Sequence, residues 1–373
     1  MTTIAPPHLT IQENVPLAPL TTLGIGGPAR YYVSVCSVAD LVDALDWAGR
    51  NDLPVFVLGG GSNVVVADAG FSGLVVRLRL TGIRWDRDGD TALATVGAGI
   101  QWDHFVEDTV SRNLAGIECL SGIPGHVGAT PIQNVGAYGQ EVSQTIERVT
   151  ALDRQTGQVA HLPASSCRFG YRSSRFKGPG GDRYIITSVV FRLRYGGPPT
   201  LKYGDVTRYF EQAGQPAPSL QDVRRAILEI RAAKGMVYNS SDSETHSCGS
   251  FFVNPVVPRH QFEAAIERGL EQGFILPDDR VPHYEAEGGR VKMSAAWLIE
   301  RAGFERGLKL GSVGLSQRHV LALVNRGGGT AKDIVELMRV IQARVRDTFD
   351  IELQPEPVFI GFGPGEGLSA SDG

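Results

Sequence analysis

The stretch Gly122-Ile123-Pro124-Gly125-His126-Val127-Gly128-Ala129, continued by Gln133-Asn134-Val135-Gly136-Ala137-Tyr138-Gly139, is the most informative part of the sequence. Five glycines fall within these 18 residues. Ordering such a loop costs conformational entropy, which a bound ligand would offset. We therefore predict that the loop contacts an extended ligand through its backbone. The amides of Gln133 and Asn134 would supply further donors and acceptors.

A second glycine loop precedes this one in the chain. The apolar run from Pro54 to Leu58 predicts a buried strand, which leads directly into Gly59-Gly60-Gly61-Ser62-Asn63. Successive backbone N–H groups in such a loop can form an anion site that suits a diphosphate, and the alternative is a plain tight turn. A third cluster, Gly24 to Ala29, fits the dinucleotide-binding pattern formally. Pro28 and the strand-like residues after it argue against the helix that this pattern requires.

Hydrophobic periodicity predicts a mixture of helices and strands. Strand and helix signals alternate in the first third of the chain, the middle is richer in strands, and the last third carries two clear helices. Ser37-Val38-Ala39-Asp40 and Thr330-Ala331-Lys332-Asp333 resemble capping boxes, so we predict a helix after each. We expect an α+β fold. The other predicted elements are strands at 31–35, 54–58, 74–78, 92–96, 148–152, 184–195 and 320–324, and helices at 102–110, 220–234 and 294–302.

The composition limits the classes of function. The chain has 373 residues and a formal net charge of −4, without a run of basic residues, so we expect no nucleic-acid partner. It has neither a signal-peptide pattern nor an apolar stretch of the roughly 18 residues that cross a membrane. The four cysteines are too widely spaced for a metal or redox pair. We therefore expect a cytoplasmic protein with no metal site and no membrane partner, and nothing implies an oligomer.

Together the two glycine loops resemble the FAD-binding half of flavoenzymes of the vanillyl-alcohol-oxidase type. The chain is most similar to the UDP-N-acetylenolpyruvoylglucosamine reductase family, over about residues 15 to 361. The Tyr203 motif makes it similar to the type I branch, which carries a substrate-covering insertion. Five later motifs match in order: Phe169-Gly170-Tyr171-Arg172-Ser173-Ser174-Arg175-Phe176-Lys177, Tyr203-Gly204-Asp205, Arg231-Ala232-Ala233-Lys234, Gly249-Ser250-Phe251-Phe252-Val253-Asn254-Pro255 and Pro355-Glu356-Pro357-Val358-Phe359-Ile360-Gly361.

This resemblance implies a two-part FAD-binding domain and a smaller α+β substrate-binding domain. The first flavin-binding subdomain would span 15–84 and be completed by a segment at about 350–361. The second would span 85–235, the substrate-binding domain 236–349, and a disordered tail 362–373. FAD would be held non-covalently, with NADPH as the hydride donor. The residues implied to contact FAD are Gly59, Gly60, Gly61, Ser62, Asn63, Gly122, Ile123, Gly125, Val127, Gly128, Gln133, Asn134, Gly136, Ala137 and Tyr138.

The implied reaction reduces UDP-N-acetylglucosamine enolpyruvate to UDP-N-acetylmuramate in peptidoglycan precursor synthesis. A hydride would pass from flavin N5 to the enolpyruvyl C3, and Ser250 would give a proton to C2. Because negative charge develops on the substrate carboxylate, the site needs cationic or hydrogen-bonding groups there and a proton donor. The resemblance implies that Arg172, Ser250 and Glu356 are the catalytic residues.

Each catalytic candidate also has a simpler interpretation. Taken alone, Arg172 is a surface arginine, although its planar fork suits a carboxylate. From spacing alone Ser250 is a turn serine, and Cys248 is a competing proton donor on chemical grounds. Glu356 stands between two prolines beside an apolar strand, an odd place for a solvated acid. We expect Glu356 to be partly buried, and to polarise the substrate carboxylate or organise the proton relay.

The resemblance also implies that Tyr203, Lys234 and Asn254 bind the substrate, with the lysine acting as a point charge on phosphate. We predict that Tyr203 lies in a Gly-Asp turn. Two positions depart from the family pattern. Val358 stands where an arginine is frequent. His126 replaces a more usual threonine, either as a turn substitution or as a contact to the FAD diphosphate.

Two rival functions follow from the same residues. One is a carbohydrate or alcohol oxidase of the same flavin fold that uses oxygen, which the C-terminal motifs argue against. The other is a nucleotide-binding regulatory module that has lost catalysis, which the intact Arg172, Ser250 and Glu356 argue against.

Overall fold

The first part of the chain builds a small mixed sheet in the order β1-β2-β5-β3. A computed structural model describes residues 6–363, so residues 364–373 of the predicted tail lie outside the described part. Strands β2, β5 and β3 run parallel, and helix α1 packs on β2 and β5 after the predicted capping box of Ser37 and Asp40. The bounds are β1 Gln12–Pro16, β2 Pro28–Val35, α1 Val38–Arg50, β3 Val55–Leu58, β4 Val64–Val66 and β5 Phe71–Leu78.

The second part is an antiparallel sheet in the order β12-β11-β13-β7-β6, with β8 also paired to β13. Its core contains Trp102, Phe105 and Phe191, whose rings contact one another. The first glycine loop follows β3, and the second follows β8 of this sheet. The bounds are β6 Ile83–Asp88, β7 Thr91–Gly97, α2 Trp102–Ser111, β8 Leu114–Ala115, β9 Gly136–Ala137, β10 Gln140–Glu141, β11 Ile146–Asp153, β12 Val159–Pro163, β13 Tyr184–Tyr195, α3 Gly204–Gln212 and α4 Leu220–Ala233.

The third part packs helices α5, α6 and α7 against two small antiparallel sheets, β14-β16-β15 and β17-β18-β19. Helix α7 begins at the predicted Thr330 capping box and buries a stripe that includes Ile334, Ile341 and Val345. The bounds are β14 Val256–Pro258, α5 Arg259–Glu271, β15 His283–Ala286, β16 Arg290–Met293, α6 Ala295–Arg301, β17 Lys309–Leu310, β18 Val313–Leu315, β19 Leu323–Asn325, α7 Ala331–Phe349 and β20 Val358–Ile360.

Strand β20 returns to the first part of the molecule. It pairs parallel with β4, so that Val358, Phe359 and Ile360 lie beside Val64, Val65 and Val66. Just before β20 the chain also pairs with residues of the third part, since Glu356 N donates to the Phe251 carbonyl and Val253 N donates to the Gln354 carbonyl. The segment 354–360 therefore joins the first part of the fold to the third.

Two predictions from the sequence need correction. Tyr203 does not lie in a Gly-Asp turn but is the N-terminal cap of α3, whose inner face is formed by Val206 and Phe210. The strand predicted at 320–324 is shorter and later, as β19. Helix α5 and the hairpin β15–β16 were not predicted. Within residues 6–363, no helix combines the length and the apolar character that spanning a membrane requires.

Candidate active site

Three distant segments meet at Glu356. The Asn63 side chain donates from Nδ2 to the Glu356 carbonyl at 3.2 Å, and Val358 N donates to the Asn63 carbonyl at 3.0 Å. On the other side, Glu356 N donates to the Phe251 carbonyl at 2.8 Å. The backbone of Glu356 is thus fixed between the first glycine loop and the segment that carries Ser250. Its side chain is only 11% exposed, as expected for a partly buried acid.

Arg172 brings its guanidinium to the same place from the second part of the fold. Nη2 donates to the Gly136 carbonyl at 3.0 Å, and Nε lies 3.1 Å from Glu356 Oε1. The Nε–H does not point along that line, so the contact is an ion pair without an aligned hydrogen bond. Among residues 6–363, Nη1 has no hydrogen-bond partner. The arginine therefore keeps donors available for a further anion.

Ser250 lies one residue before Phe251 and is half-buried. Its hydroxyl forms no hydrogen bond with any described residue, so its proton is not committed to the protein. The neighbouring Cys248 is different, because its Sγ donates to the Val64 carbonyl at 3.3 Å. Burial raises the pKa of the Cys248 thiol to about 12. Ser250 is consequently the more accessible donor of the two.

The two glycine loops pack directly against each other. A Cβ on Gly60 would lie 2.6 Å from Gly125 Cα, and a Cβ on Gly125 would lie 2.8 Å from Ser62 Oγ. The Ser62 hydroxyl donates to the Pro124 carbonyl at 3.1 Å, and Asn63 Nδ2 donates to Gln133 Oε1 at 3.2 Å. Glycine is thus required here by the packing of one loop against the other. The paired backbones form a cradle that fits an extended anionic ligand.

Val127 and Asn134, which were both predicted to contact FAD, have buried side chains. Val127 is fully buried in the core of the second part. Asn134 is 1% exposed and has a left-handed φ of 47°. Its Nδ2 donates to Glu141 Oε2 and to the Gly170 carbonyl, while its Oδ1 accepts from Ser143 N. Only the backbones of these two residues are left for a ligand.

Replacing Asn134 with alanine should lower stability by about 3 kcal/mol or more, because buried partners lose their hydrogen bonds and alanine is strained at positive φ. Asn113 is the matched control, since it has a φ of 57° but is exposed. Asn113→Ala should cost only about 1 kcal/mol, from the backbone alone. Thermal unfolding followed by circular dichroism compares the two variants. Equal shifts would show that the Asn134 hydrogen bonds contribute nothing measurable.

A second cluster surrounds Lys234, the C-terminal cap of α4. Lys234 Nζ donates to Asp205 Oδ2 at 2.7 Å and lies 5.9 Å from the centre of the Tyr138 ring. Tyr203 contacts Tyr138 edge to face, with ring centres 5.3 Å apart. Burial alone would lower the pKa of Lys234, but its hydrogen bond to the Asp205 carboxylate and the nearby tyrosines raise that pKa above its ordinary value. Lys234 therefore stays protonated at pH 7 and places a positive charge beside Tyr138 of the second glycine loop.

Asn254 contacts both the start of α6 and Tyr171, which precedes Arg172. Its Oδ1 accepts from Ala295 N at 2.9 Å, at the first residue of α6. Its other neighbour is Tyr171, the residue before Arg172. Burial raises the pKa of Tyr171, which Arg172 and Asn254 partly oppose. Asn254 therefore connects α6 to the loop that carries the arginine.

Two residues that the sequence analysis missed lie on the β15–β16 hairpin. Tyr284 and Lys292 are directly opposed across it. Lys292 Nζ lies 4.6 Å from the centre of the Tyr171 ring and 5.3 Å from that of Tyr284. No acidic side chain pairs with Lys292 within residues 6–363. The sequence analysis predicted no strand at this hairpin. The position of Lys292 near Tyr171 therefore became apparent only from the fold.

Two further missed residues, Arg231 and His319, are half-buried. Arg231 Nη2 donates to the Met236 carbonyl at 2.7 Å, but its buried Nε has no hydrogen-bond partner among the described residues. Nε also lies 3.4 Å from the position of a Cβ on Gly122, in the second glycine loop. Burial and the charges of Lys234 and Arg306 lower the pKa of His319 to about 4. The motif Arg231-Ala232-Ala233-Lys234 was the available signal for Arg231, whereas nothing in the sequence pointed to His319.

Two family models match this chain. Residues 29–163 match the family model of an FAD binding domain, and residues 241–360 match that of the C-terminal domain of UDP-N-acetylenolpyruvoylglucosamine reductase. The first match contains both glycine loops, and the second contains Ser250, Asn254 and Glu356. The chain therefore has an α+β fold with an FAD-binding domain.

Relatives match along nearly the whole chain. A protein of Thermobifida fusca named UDP-N-acetylenolpyruvoylglucosamine reductase is 46% identical over 94% of this chain and 98% of its own length. One from Mycobacterium avium with the same name is 42% identical over 94% and 96%. The crystal structure of the Thermus caldophilus enzyme of that name aligns with a TM-score of 0.61 and 27% identity, over 95% of this chain and 99% of that one. The chain belongs to the UDP-N-acetylenolpyruvoylglucosamine reductase family.

Proposed function

We propose that the protein reduces UDP-N-acetylglucosamine enolpyruvate to UDP-N-acetylmuramate, with FAD as bound cofactor and NADPH as reductant. When bound, the flavin supplies the hydride chemistry. In this proposal, residues 15–84 and 85–235 hold the flavin and 236–349 hold most of the substrate. The observation that carries the proposal is the Arg172–Glu356 pair, which lies between the glycine loops and the Ser250 segment.

Arg172 binds and stabilises the substrate carboxylate. Its guanidinium is fixed by the Gly136 carbonyl and by Glu356, which leaves Nη1 free of hydrogen bonds to described residues. A fork held in this way can engage a carboxylate more strongly as negative charge accumulates on it during the reaction. Glu356 balances the arginine charge while the substrate is absent and orients the fork when it is present.

Ser250 donates the proton to the substrate carbon next to the carboxylate. Ser250 is half-buried, its hydroxyl has no hydrogen-bond partner among residues 6–363, and it precedes Phe251, whose carbonyl accepts from Glu356 N. Although a serine is a weak acid, the carbon that it protonates is carbanion-like and strongly basic. A positioned donor is therefore sufficient.

The UDP part of the substrate meets the cationic and aromatic groups around the site. Lys234 is available for phosphate, because a diphosphate can replace or join Asp205 as its partner. Lys292, held between Tyr171 and Tyr284, adds a second positive charge. Tyr203 contacts Tyr138, whose ring Lys234 approaches, and Asn254 contacts Tyr171, whose ring Lys292 approaches. In this proposal, the groups that bind the phosphates belong to elements that come after the two glycine loops in the sequence.

A visible absorption spectrum of the purified protein tests the proposal. The flavin bands should be present, should bleach on anaerobic addition of NADPH, and should return on addition of the enolpyruvyl substrate without oxygen. Return with oxygen but not with this substrate would favour an oxidase and contradict the proposal. Absence of flavin after supply of FAD would contradict it as well.

The flavin should be bound without a covalent link. Both glycine loops suit a diphosphate held by backbone N–H groups, so retention of the flavin requires no covalent link. Acid precipitation should release all the yellow colour into the supernatant. Colour that stays in the washed pellet would contradict non-covalent binding.

A further inference from the structure

Two arginines, Arg77 and Arg79, lie at the carboxyl end of strand β5, beside the end of β3 where the first glycine loop begins. Arg77 is opposite Leu58 in the β3–β5 register, and Leu58 directly precedes Gly59. Arg79 follows two residues later. Within residues 6–363, neither arginine has an ion pair or a side-chain hydrogen bond. Ligands of parallel sheets bind at this carboxyl edge of the strands, so two unpaired cations here indicate a site for an anion.

His126 lies in the second glycine loop, which packs against the first. It follows Gly125, which contacts Gly60, and it is held by a backbone bridge to Gln101. Its Nδ1 is buried and has no hydrogen-bond partner among the described residues. Burial, with Arg77 and Arg79, lowers the pKa of His126 to about 4, so the imidazole is neutral at pH 7 and keeps one N–H to donate. A buried polar atom without a partner is costly, which suggests that a bound group supplies the partner.

We propose that His126, Arg77 and Arg79 form a side-chain site for the diphosphate of FAD, in addition to the backbone cradle of the two glycine loops. The proposal rests on the proposed function, since it requires that FAD is the cofactor. Arginine forks and an imidazole N–H are suitable donors to phosphate oxygens. These side-chain contacts would add to the affinity for FAD that the backbone cradle provides.

The variants His126→Thr and Arg77→Met test the site through flavin binding, without any activity measurement. Purified holoprotein is stripped of flavin and titrated with FAD and, separately, with riboflavin, which lacks the diphosphate. Each substitution should raise the Kd for FAD by about 10- to 100-fold, the loss expected for one contact with a charged group. The Kd for riboflavin should change less than about twofold. Arg50→Met, an exposed arginine on α1, removes the same charge and should leave both unchanged.

Several results would contradict the proposed diphosphate site. FAD affinity equal to wild type in both variants overturns the site, as does an equal loss for FAD and riboflavin, which would indicate a collapsed loop. Arg77→Lys keeps the charge and should retain FAD better than Arg77→Met; failure to do so would also contradict the site. A wild-type protein that binds no FAD overturns the proposed function and this site with it. Tight wild-type binding with unaffected variants overturns the site alone.

Discussion

Ser250→Ala should slow reduction of the enolpyruvyl substrate by about 10²–10⁴-fold, the range for losing a positioned acid, while NADPH still bleaches the flavin at nearly the wild-type rate. The two effects separate because the serine proton is needed only when the substrate carbon is protonated. The substitution removes one hydroxyl that no described residue hydrogen-bonds. It should therefore leave the fold and the position of Glu356 intact.

Stopped-flow absorbance at the flavin band measures the two phases separately. Ser247→Ala is the matched control, because the Ser247 hydroxyl accepts from Gly249 N at 3.1 Å and so supports the same turn. That control should not slow the substrate phase selectively. Equal slowing of both phases in Ser250→Ala would make Ser250 a structural residue. If neither phase slowed, another group would be the acid. The buried Cys248 thiol, with its raised pKa, would be a poor replacement.

Arg172→Lys should lower kcat and kcat/KM together, by about 10²–10³-fold, as for the loss of one donor to a developing anion. Lysine keeps the charge but loses the planar fork that contacts both the Gly136 carbonyl and Glu356. An interaction that strengthens only in the transition state affects turnover, and not merely binding.

Steady-state kinetics with varied enolpyruvyl substrate measures the effect. Arg168→Lys is a close control, since Arg168 lies on the same loop with a φ of 49°, against 51° for Arg172, but is exposed. It should retain nearly full activity. A rise in KM alone for Arg172→Lys would identify the arginine as a ground-state binder. A similar loss in both variants would implicate the loop backbone instead of the fork.

Local chemistry was sufficient to predict several elements. The capping boxes at Ser37 and Thr330 do begin α1 and α7, because a short side chain that bonds the third backbone N–H is a local signal. The strands at 74–78 and 184–195 were predicted from their apolar residues, which are also a local signal. The glycine loops were located correctly, although the reason for their glycines is partly the contact between the loops.

What could not be predicted depends on contacts between distant residues. No local pattern indicates that Glu356 is fixed by both Asn63 and Phe251, or that Arg172 reaches it across the loop. Tyr203 was assigned to a turn because Gly204 and Asp205 favour one, and only the packing of Val206 and Phe210 makes the segment helical. Lys292 was missed because its role depends on a hairpin that folds against Tyr171.

The pairing of β20 with β4 has a consequence for how the chain matures. Its partners are about 290 residues apart in sequence, so this contact closes a very long loop and should form late and slowly. During synthesis, the glycine loops would emerge and fold long before Glu356 leaves the ribosome. A nascent chain halted before residue 356 would have the residues of the cofactor cradle yet lack the acid that holds Arg172. The order of synthesis thus makes the Arg172–Glu356 pair one of the later contacts of the site to form.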